Sequence, residues 1–167
     1  FDTLNTGASF ETGSVTTIAS DGTNLLLVYS GSLTVGANGK VFVRKSTDSG
    51  ITWSDRTEMT TSAGGADATS VAAAGKPGLF VITWMDKRGG SWNVWESESV
   101  DAGTTWSTEI KVSDAESGAS YKTLSGFGLP YGDYDMVAIN STGKPVTIMG
   151  EGDNTQTKGD IWVNRKK

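Results

Sequence analysis

A short segment that occurs twice constrains the fold of this chain more than any other feature. Residues 46–54 read Ser-Thr-Asp-Ser-Gly-Ile-Thr-Trp-Ser and residues 99–107 read Ser-Val-Asp-Ala-Gly-Thr-Thr-Trp-Ser, 53 residues apart. A β-rich segment precedes each copy, GKVFVRK (39–45) and SWNVWESE (91–98), and a related one, GDIWVNRK (159–166), occurs near the C-terminus. Self-similarity at such a period is typical of architectures in which one supersecondary unit stacks on the next.

The rest of each unit also repeats, as two strands joined by a tight turn. The segments 15–30, 69–84 and 134–149 each carry Asp-Gly, Gly-Lys-Pro or Thr-Gly-Lys-Pro between two apolar runs, which is the chemistry of a hairpin turn. We therefore predict up to four antiparallel strands per unit: strand a at 15–20, 69–74 and 133–139; strand b at 24–30, 78–85 and 145–149; strand c at 40–46, 92–99 and 159–165; and strand d at 57–60 and 108–112. This pattern predicts an all-β fold built of β-propeller blades, with an irregular β-sandwich as the alternative.

Composition supports an all-β chain and excludes several functions. Gly, Ser and Thr fill 63 of the 167 positions, which leaves too few helix formers for a helical bundle. The net charge of −5 argues against a nucleic acid partner. The absence of Cys and His excludes thiol catalysis, disulfides, His acid–base chemistry and the usual zinc sites. No apolar run approaches the roughly 20 residues of a membrane span.

No cofactor is required by the residues present. A metal ion bound by this chain would be a hard cation such as calcium, because only oxygen ligands are available. The oxygen-rich segment 150–154 is the candidate for it, although its spacing matches no EF-hand loop.

The repeated Ser-x-Asp-x-Gly-x-Thr-Trp segment is predicted to form the hairpin between strands c and d. In this interpretation the Asp carboxylate accepts hydrogen bonds from turn N–H groups, the Gly takes a left-handed conformation, and the Trp packs back over the hairpin. These are folding roles, not catalytic ones. The residues so assigned are Ser46, Asp48, Gly50, Trp53, Ser99, Asp101, Gly103 and Trp106.

Both copies resemble the Asp-box, also called the bacterial neuraminidase repeat, of the sialidase-like β-propellers. The strings TWMDKRGGSWNVWES (83–97) and YGDYDMVAI (131–139) are also similar to blades of exported bacterial proteins of this kind. The resemblance covers 14–166. It implies a propeller fold and an extracellular or cell-surface location, but it does not imply an activity, since Asp-boxes also occur in propellers that are not enzymes.

The strand inventory amounts to three blades, predicted at about 14–61, 68–113 and 131–167. Residues 1–4 are predicted to be a displaced d strand, equivalent to the one that the third blade lacks. Propellers close with about four to eight blades, so three correspond to half of a six-bladed ring. Two explanations follow: the chain is a piece of a longer protein, or two copies assemble head-to-tail into a homo-oligomeric ring.

The resemblance places substrate on the face built from the d–a and b–c connections, here 5–14, 31–39, 61–68, 85–91, 113–132 and 150–158. Sialidase chemistry uses a Tyr nucleophile activated by a carboxylate, a second acid and arginines that grip the substrate carboxylate. Tyr134 or Tyr131 with Glu151 is the candidate pair, Asp86 the candidate acid and Arg88 the candidate clamp. The alternative interpretation of the last two is a surface ion pair.

The chain departs from the sialidase pattern in two ways, and this favours other functions. It has four arginines in all, of which Arg88 alone lies on the expected face, and it has no Arg-Ile-Pro motif. Glycan recognition requires less, because aromatic rings and carboxylates on loops can stack on sugars and bind their hydroxyls. The candidate ligand-binding residues are Tyr121, Phe127, Tyr131, Asp133 and Asp153. A structural surface or filament protein is the third possibility.

Overall fold

The computed structural model describes residues 16–32, 34, 37–90, 92–113, 135–151 and 160–165. These residues form three antiparallel sheets in which each strand pairs with the one before it in sequence. The strands are β1 (Thr16–Ser20), β2 (Leu25–Gly31), β3 (Lys40–Ser46) and β4 (Thr57–Glu58) in the first sheet; β5 (Ala68–Lys76), β6 (Leu79–Asp86), β7 (Asn93–Ser99) and β8 (Ile110–Lys111) in the second; and β9 (Met136–Ile139), β10 (Pro145–Glu151) and β11 (Asp160–Arg165) in the third. The prediction of an all-β chain of antiparallel sheets is confirmed, with four strands in the first two sheets and three in the described part of the third.

The outermost strands of the first two sheets are shorter than predicted. Strand d was expected over 57–60 and 108–112, but β4 and β8 contain two residues each. One backbone hydrogen bond extends the pairing beyond each of these strands. The amide of Met59 donates to the carbonyl of Val41 at 2.8 Å, and the amide of Val112 donates to the carbonyl of Val94 at 2.9 Å. The regular pairing of β4 with β3 and of β8 with β7 therefore ends after two residues. The residues that follow stay hydrogen-bonded to the sheet without forming a regular strand.

The second sheet is buried on both faces. Phe80, Ile82 and Trp84 on β6 belong to the hydrophobic cluster that packs the second sheet against the first. Met85 belongs to a smaller cluster, with Met149 of β10, that packs it against the third. This explains why β6 is apolar from Leu79 to Met85 except at Thr83, where a half-buried strand would alternate. Full burial of each large side chain contributes about 1.5–3 kcal/mol.

The first strands of the three sheets lie side by side. β5 lies against β1 on one side and against β9 on the other. The approach of β5 to β1 is close at Gly75, where an added Cβ would clash with the carbonyl of Ser20. This succession of first strands, with later strands further out, is the arrangement of propeller blades around an axis.

The two repeated segments form the same hairpin turn. The hydroxyl of Ser46 donates to Asp48 at 2.8 Å and accepts from the amide of Gly50 at 2.8 Å, while Asp48 accepts from the amide of Thr52 at 2.9 Å. Gly50 has a φ of +88°, and the indole of Trp53 donates to its carbonyl at 3.1 Å. These bonds close the turn and fold the Trp back over it.

The second copy repeats this geometry at the equivalent residues. Ser99 donates to Asp101 at 2.8 Å and accepts from the amide of Gly103 at 2.8 Å, and Asp101 accepts from the amide of Thr105 at 2.8 Å. Gly103 has a φ of +80°, and Ala102 before it is also left-handed at +56°. This turn contacts the β5–β6 turn of the same sheet, since the amide of Ala102 donates to the carbonyl of Gly78 at 3.1 Å.

Hydrogen bonding keeps both turn carboxylates ionised. Bonds from the hydroxyl and the amide of Thr52, with the hydroxyl of Ser46, lower the pKa of Asp48 to about 2. Bonds from Thr105, with the hydroxyl of Ser99, lower the pKa of Asp101 well below its usual value. Both groups are charged acceptors at neutral pH, as a turn with several N–H donors requires.

Candidate functional site

Three connections of the first two sheets are joined at the end opposite the repeated turns. The amide of Gly39 donates to the carboxylate of Asp67 at 2.7 Å, and the side chain of Asn38 donates to the carbonyl of Gly65 at 2.9 Å. The amide of Lys87 donates to the carbonyl of Asp67 at 2.9 Å. The described parts of the β2–β3, β4–β5 and β6–β7 connections therefore form one continuous surface, which we call the loop face.

Asp86 and Arg88 form a buried pair on the loop face. One carboxylate oxygen of Asp86 accepts from Arg88 Nε at 2.8 Å, and the other accepts from Nη2 at 2.5 Å. The second oxygen also accepts from the indole of Trp84 at 3.0 Å. The side chain of Asp86 is wholly buried and that of Arg88 is 18% exposed. The ion pair of the alternative interpretation is therefore present. It does not lie at the surface, because Asp86 ends a strand that lies inside the core.

The guanidinium of Arg88 has further partners from distant parts of the chain. Its Nη1 donates to Glu109 at 2.5 Å and to the hydroxyl of Ser62 at 3.1 Å. Ser62 in turn donates to Glu109. The guanidinium carbon lies 3.7 Å from the ring centroid of Trp95, where a cation–π interaction is favourable. We call Asp86, Arg88, Glu109, Ser62 and Trp95 the Arg88 cluster.

The Arg88 cluster keeps its guanidinium charged and occupied. Burial opposes the charge, but hydrogen bonds and Coulombic attraction from Asp86 and Glu109 outweigh it and raise the pKa of Arg88 above its usual value. Both edges of the planar group already bind carboxylates, in the forked geometry that arginine favours. A substrate carboxylate would have to displace Glu109 to reach it.

A groove of about 450 Å³ opens beside the Arg88 cluster, between the outer strands of the first two sheets. Arg88 and Glu109 form part of its wall, Glu58 supplies a second carboxylate, and Trp106 supplies an aromatic side chain. Six hydroxyl-bearing residues also line it: Thr57, Thr61, Ser62, Ser97, Ser107 and Thr108. Such a volume is in the range of small-molecule sites, and its lining offers hydrogen-bond donors, acceptors and a surface for stacking.

The structure describes part of the candidate site expected from the sequence. Asp86 and Arg88 are brought together as above. The backbone of Glu151 pairs with that of Asp160, and its side chain is not described. The remaining candidates lie outside the described residues: Tyr121, Phe127, Tyr131, Asp133, Tyr134 and Asp153.

Sequence reasoning missed three members of the Arg88 cluster. The position of Trp95 could have been inferred from the sequence. The predicted hairpin pairs β6 with β7 and places Trp95 opposite Trp84, and this brings Trp95 near Arg88. No sequence pattern predicted the contacts of Glu109 and Ser62 with Arg88, since these residues lie 21 and 26 positions away from it in the chain. Among the described residues no group of three or more acidic side chains is placed to hold a metal ion. In the same part of the chain no helix is long and apolar enough to cross a membrane.

The sequence matches no protein-family model and no curated protein, whereas the fold is similar to solved structures. A Hadza microbial sialidase shares 13% identity with a TM-score of 0.65, over 92% of this chain and 35% of that one. An α-L-arabinanase of Penicillium chrysogenum complexed with arabinobiose shares 15% identity with a TM-score of 0.53, over 86% and 41%. The sialidase of Trypanosoma rangeli shares 13% identity with a TM-score of 0.53, over 92% and 30%.

These similarities establish the fold. The chain has the sheet arrangement of sialidase-like and arabinanase-like β-propellers, and it spans 30–41% of the length of these proteins. One fold of this kind carries different substrates in different proteins, so activity has to be argued from the residues of the site.

Proposed function

We propose that this chain is part of an extracellular Asp-box β-propeller that recognises a neutral carbohydrate in the groove between the outer strands of its first two sheets. The observation that carries the proposal is the groove beside the Arg88 cluster, which combines six hydroxyl-bearing residues and two carboxylates with the side chain of Trp106. Sugar hydroxyls are satisfied by such donors and acceptors, and aromatic side chains stack on the apolar faces of sugar rings.

The charge of the groove favours a neutral sugar over sialic acid. Its lining contains the carboxylates of Glu58 and Glu109, and Arg88 is the cation among the lining residues. Arg88 is already bound to two carboxylates. Glu58 is likewise bound to Lys40, at 2.8 Å. An acidic sugar would therefore meet carboxylates that already have partners and no unoccupied cation among the lining residues. The net charge of −5 for the chain acts in the same direction.

Binding is tested by isothermal titration of the chain with neutral oligosaccharides, arabinobiose among them, and with a sialoside. We expect a neutral ligand to bind and Thr61→Trp, which fills the groove from an exposed position, to weaken that binding at least tenfold. Thr23→Trp is the matched control, because Thr23 is exposed in the turn between β1 and β2. Equal affinity in both variants, or tighter binding of the sialoside, would contradict the proposal.

Glycoside hydrolysis is the second candidate, because the solved neighbours include sialidases and an arabinanase. It would use Tyr134 or Tyr131 with Glu151 as nucleophile and partner. Asp86, the acid expected from the sequence, is buried against Arg88, so a different group would have to donate the proton. Release of a fluorophore from an arabinoside or a sialoside, abolished by Tyr134→Phe, would replace the recognition proposal with this one. A chain that neither binds nor cleaves glycans would leave a structural role.

A further inference from the structure

The dipeptide Asn38-Gly39 is a reactive segment of the loop face that the proposed function does not use. An asparagine followed by glycine deamidates readily, because glycine has no side chain to hinder attack by its backbone nitrogen on the asparagine side chain. No other asparagine of the chain is followed by glycine. Asn38 is exposed at the end of the β2–β3 connection, and Gly39 immediately precedes β3.

The fold requires glycine at position 39. Gly39 is buried, and a Cβ added to it would lie 2.5 Å from the carbonyl oxygen of Ala68 and 3.2 Å from the carboxylate of Asp67. The carbonyl of Gly39 also accepts from the amide of Ala68 at 3.0 Å. A larger residue would push the β2–β3 connection away from the first residue of β5. Close packing between the first two sheets therefore keeps the reactive successor of Asn38 in place.

Both groups that react in a deamidation are held by the β4–β5 connection. The nucleophile is the backbone nitrogen of Gly39, which donates its hydrogen to the carboxylate of Asp67 at 2.7 Å. The leaving group is the side-chain nitrogen of Asn38, which donates to the carbonyl of Gly65 at 2.9 Å. Ring closure requires the nitrogen of Gly39 to turn towards Cγ of Asn38, and these bonds oppose that rotation. The reaction therefore needs the connection to open first.

We propose that Asn38 is a deamidation site kept closed by Asp67, and that its conversion irreversibly opens the contact between the β2–β3 and β4–β5 connections. On opening, the nitrogen of Gly39 loses its proton and bonds to Cγ of Asn38, while the Cγ–Nδ2 bond breaks and ammonia leaves with that proton. Water then hydrolyses the succinimide ring. Cleavage of the new bond to Cγ gives aspartate, and cleavage of the bond to the backbone carbonyl carbon gives isoaspartate, whose main chain is longer by one methylene.

Neither product can restore the original contact. Both replace the Nδ2 donor with a carboxylate, which can only accept hydrogen bonds and so cannot bind the carbonyl of Gly65. Both also add a negative charge close to Asp67, where like charges repel. The conversion therefore changes the loop face with the age of the molecule. It is independent of carbohydrate binding, since none of these residues lines the groove.

The test incubates the full chain in mildly alkaline buffer, both folded and in guanidinium chloride. Peptide mass spectrometry follows the conversion of Asn38, and enzymatic methylation detects isoaspartate. We expect the unfolded chain to react about tenfold faster than the folded chain, or more. Asp67→Ala should raise the rate in the folded chain by about tenfold, because opening no longer breaks a hydrogen bond to a charged acceptor. Asp67→Asn should have an intermediate rate.

Hydrogen exchange measures the consequence of the conversion. Peptides covering 61–68 should exchange faster in the converted chain than in the fresh chain. Asn38→Gln is the matched control, because its longer side chain closes the ring far more slowly. Incubation of Asn38→Gln should therefore leave exchange in these peptides unchanged.

Asn140 separates a local effect from a general loss of folding. It precedes Ser141 in the β9–β10 turn, and its side-chain oxygen accepts from the amides of Thr142 and Lys144 at 2.9 Å each. Global unfolding would accelerate deamidation at Asn140 as well, whereas loss of the Asp67 carboxylate should accelerate Asn38 alone.

Several results would overturn the proposal. A slower reaction in Asp67→Ala would mean that Asp67 is the base that activates Gly39. An unchanged rate at Asn38, or equal acceleration at Asn140, would mean that Asp67 does not keep the site closed. Absence of isoaspartate at Asn38 in the unfolded chain, or unchanged exchange over 61–68 after conversion, would contradict it equally.

Discussion

At the scale of single residues, Arg88 has the clearest role in the described site. Its guanidinium binds Asp86, which is wholly buried, and Glu109, and it stacks on Trp95. A buried carboxylate that loses its cation is costly, because its charge is then uncompensated. The Arg88 cluster therefore joins the end of β6 to the outer edge of the second sheet, whatever ligand the neighbouring groove accepts.

Arg88→Ala is expected to lower the free energy of unfolding by about 3–5 kcal/mol, because Asp86 remains buried without its partner. Arg88→Lys should recover part of the loss, since an ammonium supplies charge but not the forked geometry. Urea denaturation measures both, with Lys111→Ala as a control at an exposed position. Wild-type stability in Arg88→Ala would contradict this role, because it would mean that the pair with Asp86 contributes little to folding.

The turn carboxylates predict how stability depends on pH. Hydrogen bonds lower the pKa of Asp48 from 3.8 to about 2 on folding. The charged group therefore stabilises the fold above its unfolded pKa, and this contribution is lost as the pH falls towards 2. Asp48→Asn should have a lower melting temperature than the wild type at neutral pH. Between pH 3.8 and 2 it should lose less stability than the wild type, because it lacks the carboxylate that titrates there.

Melting curves by circular dichroism across this range check the prediction. Asp55→Asn changes an exposed carboxylate that follows the same turn and serves as the control. An unchanged loss of stability in acid for Asp48→Asn would mean that other carboxylates account for the whole effect.

At the scale of the elements, the sequence predicted which strands exist, whereas packing determined where they end. The inner strands are found at the predicted positions, because alternating or continuous apolar runs bounded by turn residues are local signals. The predicted d strands shorten to β4 and β8. Pairing at such an edge depends on the neighbouring sheet and on the loop face, neither of which has a local signal.

Close packing between the first two sheets depends on Gly75. An added Cβ would clash with the carbonyl of Ser20 and with the ring of Phe80, so β1 and β5 would have to separate. Gly75→Ala should cost about 2–3 kcal/mol as overpacking. Gly78→Ala has open space around it and a φ of +74°, so it should cost about 1 kcal/mol from backbone strain alone. Equal costs in urea denaturation would contradict this explanation.

At the scale of the whole molecule, the stack of sheets is packed unequally. The cluster between the first two sheets contains residues such as Leu26, Phe80, Ile82 and Trp84, whereas the cluster beneath the third sheet is smaller. The third sheet also has an exposed outer face, with Met136 and Val163. Regions with few buried apolar contacts open most easily.

Hydrogen exchange followed by mass spectrometry should therefore find the third sheet the least protected. In a dilute, monomeric sample, peptides covering β9 and β10 are expected to exchange at least tenfold faster than those covering β2 and β6. Peptides of the turn around Val100 provide the internal reference. Equal protection of all three sheets in the monomer would contradict the prediction.

The sequence by itself determined the repeat, the strand order and the turn chemistry of this protein. These depend on residues close together in the chain, such as Ser46, Asp48 and Gly50, whose hydrogen bonds can be inferred from spacing. The tertiary structure alone decided that Asp86 is buried, that Glu109 and Ser62 meet Arg88, and that a groove opens beside them. Those contacts join residues that are far apart in the chain. Their geometry depends on how the twisted sheets stack, and no local sequence pattern encodes that stacking.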